Sequence, residues 1–110
     1  MKSEFAKALK HTRKSRGLTQ EDFSSVSSRT YLSALERGKK SPTLDKMNAI
    51  AQTLGINIVT LITLTYLHLE SDQKKDLETF LLEIKSEVES LNPSHKLVMQ
   101  SASNHTSNKL

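Results

Sequence analysis

Leu18-Thr-Gln-Glu-Asp-Phe-Ser-Ser-Val-Ser-Ser-Arg-Thr-Tyr-Leu-Ser-Ala-Leu-Glu-Arg-Gly38 decides how this chain folds. It reads as two short helices joined by a tight turn. Thr19 can cap the first of them, because its hydroxyl can satisfy an orphan backbone N–H, and Asp22, three residues on, can answer it in a capping box. Val26, Ser27 and Ser28 form a short connection without a helix-forming run. Ser28 then caps the second helix, in which Leu32 and Leu35 recur at the spacing of one helix face. Gly38 stops it as a C′ glycine does. The opposite face carries Arg29, Thr30, Ser33 and Ala34, which are small or hydrogen-bonding and mostly uncharged, whereas a merely solvated face is usually richer in Glu and Lys.

Outward from this stretch, charge is unevenly placed. Residues 1–40 hold ten basic residues against four acidic ones, a balance of +6. Residues 72–91 hold three basic against six acidic, a balance of −3. One end therefore attracts phosphate and the other avoids it. Taken alone, the basic front could be an ordinary solvated surface. Beside two short helices at a steep angle, the second with a small polar face, it suggests helix-turn-helix recognition of DNA.

The remaining segments are helical in pattern. A first helix runs from about Ser3, its cap, to Arg16, with Phe5, Ala8, Leu9 and Thr12 buried and Gly17 ending it. Arg13 falls on or beside that stripe and needs a partner, since a buried unpaired charge is costly. Glu36 is the candidate, and we read Arg13–Glu36 as a structural ion pair in preference to Arg13 on phosphate. After the basic loop Lys39-Lys40-Ser41-Pro42, Thr43 caps a fourth helix with Leu44, Met47, Ile50, Ala51 and Leu54 as its apolar stripe, stopped by Gly55. Asn57 caps a fifth, to about Leu69, with Leu61, Ile62, Leu64 and Leu67 facing inward or toward a partner. Ser71 caps a sixth, from Asp72 to Leu91, with acids near its start that suit the helix dipole.

That sixth helix carries the stripe Leu77, Phe80, Leu81, Ile84, Val88 and Leu91, in which Leu77, Ile84 and Leu91 fall seven apart. At about 20 residues it would span roughly 30 Å, more than a lid over a small domain needs. It folds back onto its own chain or packs on a second copy, and we favour a dimer in which the fifth and sixth helices both take part. The expected organisation is thus a DNA-binding domain over 1–70, a dimerisation helix over 71–91, and a disordered tail over 92–110 rich in Ser, Asn and His. Lys96-Leu97-Val98-Met99 is that tail's one apolar patch.

Other chemistry finds no constellation. There is no cysteine, so neither a disulfide framework nor thiolate chemistry. His11, His68, His95 and His105 are scattered singly and suggest no metal site. No nucleophile elbow surrounds a serine, and the three glycines sit where helices end and form no phosphate loop. We expect no enzyme and no cofactor. No apolar run is long enough to span a membrane, and the N-terminus lacks a signal-peptide core, so the expected location is cytoplasmic, on the nucleoid when bound to DNA.

Residues 5–62 resemble the Cro/C1-type (XRE) helix-turn-helix family of phage repressors and bacterial regulators. The matching residues are Phe5 and Leu9, the run Arg13 to Phe23, Ser28 to Leu32, Leu35-Glu36-Arg37-Gly38, Ser41-Pro42-Thr43, and Ala51 through Leu54-Gly55-Ile56. The resemblance implies an all-α, lambda-repressor-like five-helix domain, here followed by a long C-terminal helix and a flexible tail. It places the third helix in the major groove, usually of a palindrome and usually as a dimer, and it supports the Arg13–Glu36 pair. It assigns Ser28, Arg29, Thr30, Ser33 and Ala34 to base-facing positions, where Arg29 can donate two hydrogen bonds to a guanine and Ala34 can sit against a thymine methyl. Thr19 and Gln20 correspond to backbone-contacting positions at a helix N-terminus. Arg37, Lys39 and Lys40 are phosphate candidates that position without specifying.

One departure stands out. Family members usually carry two more residues, often with Ala-Gly, between the second and third helices. Here Ser24-Ser25-Val26-Ser27 is shorter and has no glycine, so the second helix ends early or the turn is tighter. The function implied is a dimeric, sequence-specific transcriptional regulator, a repressor more than an activator. The alternative is an antitoxin-like interaction module in which the last helix binds a partner protein and DNA binding is secondary. A small-molecule effector between the fifth and sixth helices is conceivable, but no convergent polar group marks a site for one.

Overall fold

Capping residues and three left-handed glycines cut the chain into short helices, and every regular element among the described residues is helical. The computed structural model describes residues 1–69 and 76–92. Helix α1 (Lys2–Ser15) buries Phe5, Ala6, Ala8, Leu9, Thr12 and Arg13. It starts one residue before the expected cap: Ser3 lies inside the first turn, because the Phe5 N–H already closes onto the Met1 carbonyl at 2.9 Å.

The expected second helix is reduced to a single 3-10 turn, Gln20–Phe23. Thr19 opens it, with its backbone N–H donating to the Asp22 carboxylate at 2.7 Å. Its hydroxyl reaches the same oxygen at 3.1 Å. Phe23 is the turn's only buried residue. The residues after it offer no second apolar row to extend the helix, so the chain turns at once, with Val26 and Ser27 both donating to the Phe23 carbonyl. The expected third helix is α2 (Arg29–Glu36), capped by the Ser28 hydroxyl accepting from the Tyr31 N–H at 3.1 Å. Gly38 follows it at φ +71, where an added β-carbon would come into contact with Ser3 and Ala6 of α1.

Helix α3 (Leu44–Leu54) begins at the Thr43 hydroxyl, which accepts from the Lys46 N–H. Leu44, expected on its apolar stripe, is exposed at the first helical position, and the buried stripe is Ile50, Ala51 and Leu54. Gly55 at φ +74 ends the helix in the left-handed region that a β-carbon disfavours. Asn57 then caps α4 (Ile58–Leu69) through a 2.7 Å bond from the Val59 N–H. The turn between them bends the path by 102°. Helix α1 packs on α4 and α2, while the 3-10 turn lies against α2 and α3. Between them sits one apolar core of Phe5, Leu9, Phe23, Leu32, Leu35, Ile50, Ala51, Leu54 and Leu61. Among the described residues no single helix is long and apolar enough to cross a membrane.

The chain divides into two compact units, Met1–Lys74 and Lys75–Leu110. In the second, α5 spans Leu77–Leu91, starting five residues later than expected. Asp76 caps it, accepting from the Thr79 N–H at 2.7 Å, and that bond holds the carboxyl below the ordinary aspartate range. The cap therefore supports the helix above pH 3.8 and is lost as pH falls through the lowered value. At 15 residues, α5 is about 22 Å long. Ser71, Asp72 and the tail beyond Asn92, with Leu97 and Met99, lie outside the described residues.

Candidate nucleic-acid interface

Helix α2 is seated by Leu32 and Leu35, both fully buried, which leaves its outer side to Ser28, Arg29 and Thr30. Ser33 is half-buried on the next turn. Arg29, Thr30 and Ser33 lie on one side of the helix, and Ser28 stands at its N-terminal end. Ser28 accepts the cap bond and keeps its own hydroxyl proton for another acceptor. Arg29 lies 3.6 Å from Glu21, with both side chains largely exposed. Such a pair contributes about 0–1 kcal/mol and leaves the guanidinium able to exchange Glu21 for a base or phosphate.

Ala34 does not join them. It is 6 % exposed and belongs to the buried side of α2. The end of the helix runs into Gly38, which rests against α1, so the last turn is covered on a side that the first turn leaves open. Ala34 is therefore removed from the base-facing set.

The backbone-contacting candidates divide in the same way. Arg37, Lys39 and Lys40 are all exposed at the C-terminal end of α2 and in the loop after it. Arg37 is steadied by its Nε donating to the Ser33 carbonyl at 3.2 Å. Thr19 is exposed at the start of the 3-10 turn. Gln20, by contrast, is half-buried and turned inward, with its amide donating to Glu36 at 3.2 Å. It braces α2 from below, and its second amide hydrogen is the one left for a phosphate.

Glu36 is the centre of that brace. Its two carboxylate oxygens receive the Arg13 guanidinium at 2.6 and 2.9 Å, a paired contact that fixes orientation as well as distance. Arg13 also donates to the Leu18 carbonyl at 2.9 Å. The hydrogen bond to Glu36 raises the Arg13 pKa above its already high ordinary value, so it stays charged at every working pH. Helix α1, the 3-10 turn and α2 are thus locked by one carboxylate.

Sequence reasoning missed Lys46. Its ammonium donates to the Val26 carbonyl at 2.7 Å and lies 5.6 Å from the centre of the Tyr31 ring. Lys40 approaches the same ring at 5.9 Å. A signal was present: a lysine three residues after a helix cap sits at the positive end of the helix dipole, where an acid is favoured. The apolar row on α5 comprises Leu77, Leu81, Ile84, Val88 and Leu91, all exposed, with Phe80 half-buried beside them. Their alternating spacing of four and three residues lays them along one side of the helix.

A hollow of about 250 Å³ opens between α1, α3 and α4, lined mainly by Met1, Phe5, Pro42, Met47 and Ile62. Among the described residues no three His, Cys, Asp or Glu side chains gather as a metal site would require.

No solved structure matches the chain. A protein of Sinorhizobium fredii described as an uncharacterized HTH-type transcriptional regulator, y4dJ, is 46 % identical over an alignment 55 residues long that covers 48 % of this chain and 71 % of that protein. The helix-turn-helix family pattern matches residues 9–61, from the Leu9 that anchors α1 to the Leu61 that closes the core. Those 53 residues contain the capped turn, α2 and the carboxylate that locks them, and with the 46 % identity that covers 71 % of the Sinorhizobium regulator, the chain belongs to the Cro/C1-type (XRE) helix-turn-helix family of DNA-binding proteins.

Proposed function

We propose that the protein is a dimeric, sequence-specific transcriptional regulator that represses by occluding polymerase at a palindromic operator. The observation that carries this reading is the outer side of α2: Ser28, Arg29, Thr30 and Ser33 on a helix whose other side is fixed into the core, flanked by Arg37, Lys39 and Lys40. A rigid helix with hydrogen-bonding side chains fits the major groove, and cations around it fit the phosphates on either side. Two such units on a two-fold axis would read half-sites about 34–36 Å apart. Selection of bound fragments from random DNA tests the proposal. A palindrome with that spacing is the expected outcome, and fragments no better than competitor DNA at moderate salt would sink it.

Within that reading the cations and the bases separate by their salt dependence. Arg29→Ala should lose about 1–3 kcal/mol of discrimination at one base position and leave the others intact. Lys39→Ala should weaken all sequences alike and reduce the salt slope by about one unit. Competition gel shifts over a salt series check both.

The dimer is assigned to the exposed apolar row of α5. Ile84→Glu places a charge in the middle of that row, and it should convert a dimer to a monomer in sedimentation velocity without changing helicity. A protein that remains dimeric would remove α5 from the interface. A stoichiometric foreign protein bound through the same row would instead support the antitoxin-like module.

A further inference from the structure

We infer that Lys46 is a positioning residue for the recognition helix: it staples the glycine-free turn before α2 to α3 and so sets the angle at which Arg29 meets DNA. The inference rests on the function proposed above for its DNA readout, and on the free protein for the rest.

The turn from Ser24 to Ser27 has little of its own to hold it. It contains neither glycine nor proline. Its inner side is tied by two N–H groups sharing the Phe23 carbonyl. Ser27, buried, spends its hydroxyl on the Ser28 carbonyl. The group that meets the Val26 carbonyl comes from 20 residues further along the chain, the Lys46 ammonium at 2.7 Å. Val26 lies two residues before Ser28, the cap of α2. A shift of this carbonyl therefore moves the start of the helix that carries Arg29 and Thr30.

The ammonium is held at both ends. The stem of Lys46 leaves the first turn of α3, whose Ile50, Ala51 and Leu54 are fixed in the core. Its head also faces the Tyr31 ring, three residues into α2, where a cation above the π face is attracted. One side chain thus touches the turn, α2 and α3. Lys40 on the same ring adds the basic loop to the assembly. A lysine that serves as a phosphate contact keeps its three donors in solvent. Lys46 is half-buried and has committed its head to a carbonyl and a ring.

Two measurements test this. In the free protein, Lys46→Met should raise amide exchange at residues 24–31 about tenfold while α1 and α4 are unchanged, since local opening follows the loss of local bonds. On DNA, the same variant should lose about tenfold in preference for the selected operator over scrambled sequence, with nonspecific affinity and salt slope unchanged. Lys46→Gln, a milder change whose amide falls short of the carbonyl, should behave alike, which guards against a variant that fails to fold. Lys46→Arg, which keeps a cationic donor of similar reach, should restore both readouts. Unchanged exchange over 24–31 would overturn the inference. So would a uniform weakening on all sequences with a salt slope reduced by about one unit, which would make Lys46 a phosphate contact. If the wild-type protein itself shows no preference, the function proposed above fails, and the exchange measurement still decides the role of Lys46.

Discussion

Glu36→Ala should remove about 3–5 kcal/mol of folding stability, the range expected when one partner of a buried ion pair is deleted and the other is left charged. The Glu36 side chain is 4 % exposed and that of Arg13 is 11 % exposed, so water cannot take over the lost contact. Arg13 would keep only the Leu18 carbonyl, and Gln20 would lose its acceptor. For a unit of this size such a loss lowers the melting temperature by about 12 °C or more. The informative partner is the double replacement Arg13→Met with Glu36→Leu. Removing both charges avoids the uncompensated guanidinium, so the double variant should be more stable than Glu36→Ala. Urea unfolding followed by far-ultraviolet circular dichroism checks the series. A double variant whose loss equals the sum of the losses from Arg13→Met and Glu36→Leu made singly would show that the two residues act independently.

Arg13 repeats four residues after Leu9 on the buried stripe, and a charge there demands an opposite charge on whichever helix crosses it. Glu36 follows Leu35 at the end of a helix whose apolar face is built for the same core. The structure joins the two at 2.6 Å. Helix boundaries are legible for a similar reason: Thr19 with Asp22, Ser28, Thr43 and Asn57 each satisfy a backbone N–H from within three residues, so the information is local.

What sequence leaves open is whatever depends on a distant neighbour or on a choice between equal local signals. Ser71 and Asp76 are both acceptable caps for the last helix, and the structure uses Asp76. In an eight-residue helix, spacing alone does not tell whether a small residue such as Ala34 faces solvent or a crossing helix. It is buried, in a helix that packs on α1, and which of its sides is covered depends on how the two helices cross. The contact of Lys46 with Val26 spans 20 residues and involves a backbone carbonyl, so the lysine's place in a first helical turn hints that it has a partner without saying which. The collapse of the second helix to a 3-10 turn follows from having Phe23 as its lone buried anchor.

That dependence makes Phe23 the position where fold and recognition fail together. Phe23 is fully buried and heads the large side chains of the core, beside Leu9, Leu32, Leu35, Ile50 and Leu54. Phe23→Ala should cost about 3–5 kcal/mol, the transfer energy of the ring plus the cavity that neighbours on several elements cannot close. Net stabilities of small domains are about 5–15 kcal/mol, so much of the margin is lost. The effect on DNA should exceed the effect on stability. Phe23 is the only buried side chain of the 3-10 turn, and its carbonyl anchors both N–H groups of the turn that precedes α2. Measured at a temperature where the variant is still folded, operator preference should fall while helicity from α1, α3 and α4 persists. Phe23→Leu, which keeps much of the apolar volume, should fall between wild type and alanine in both denaturation midpoint and preference. If the alanine variant instead unfolds at the wild-type urea concentration, the core closes without the ring and the 3-10 turn is held by its capping pair alone. The expected result is the opposite, because the Thr19–Asp22 cap is exposed and contributes only about 1 kcal/mol.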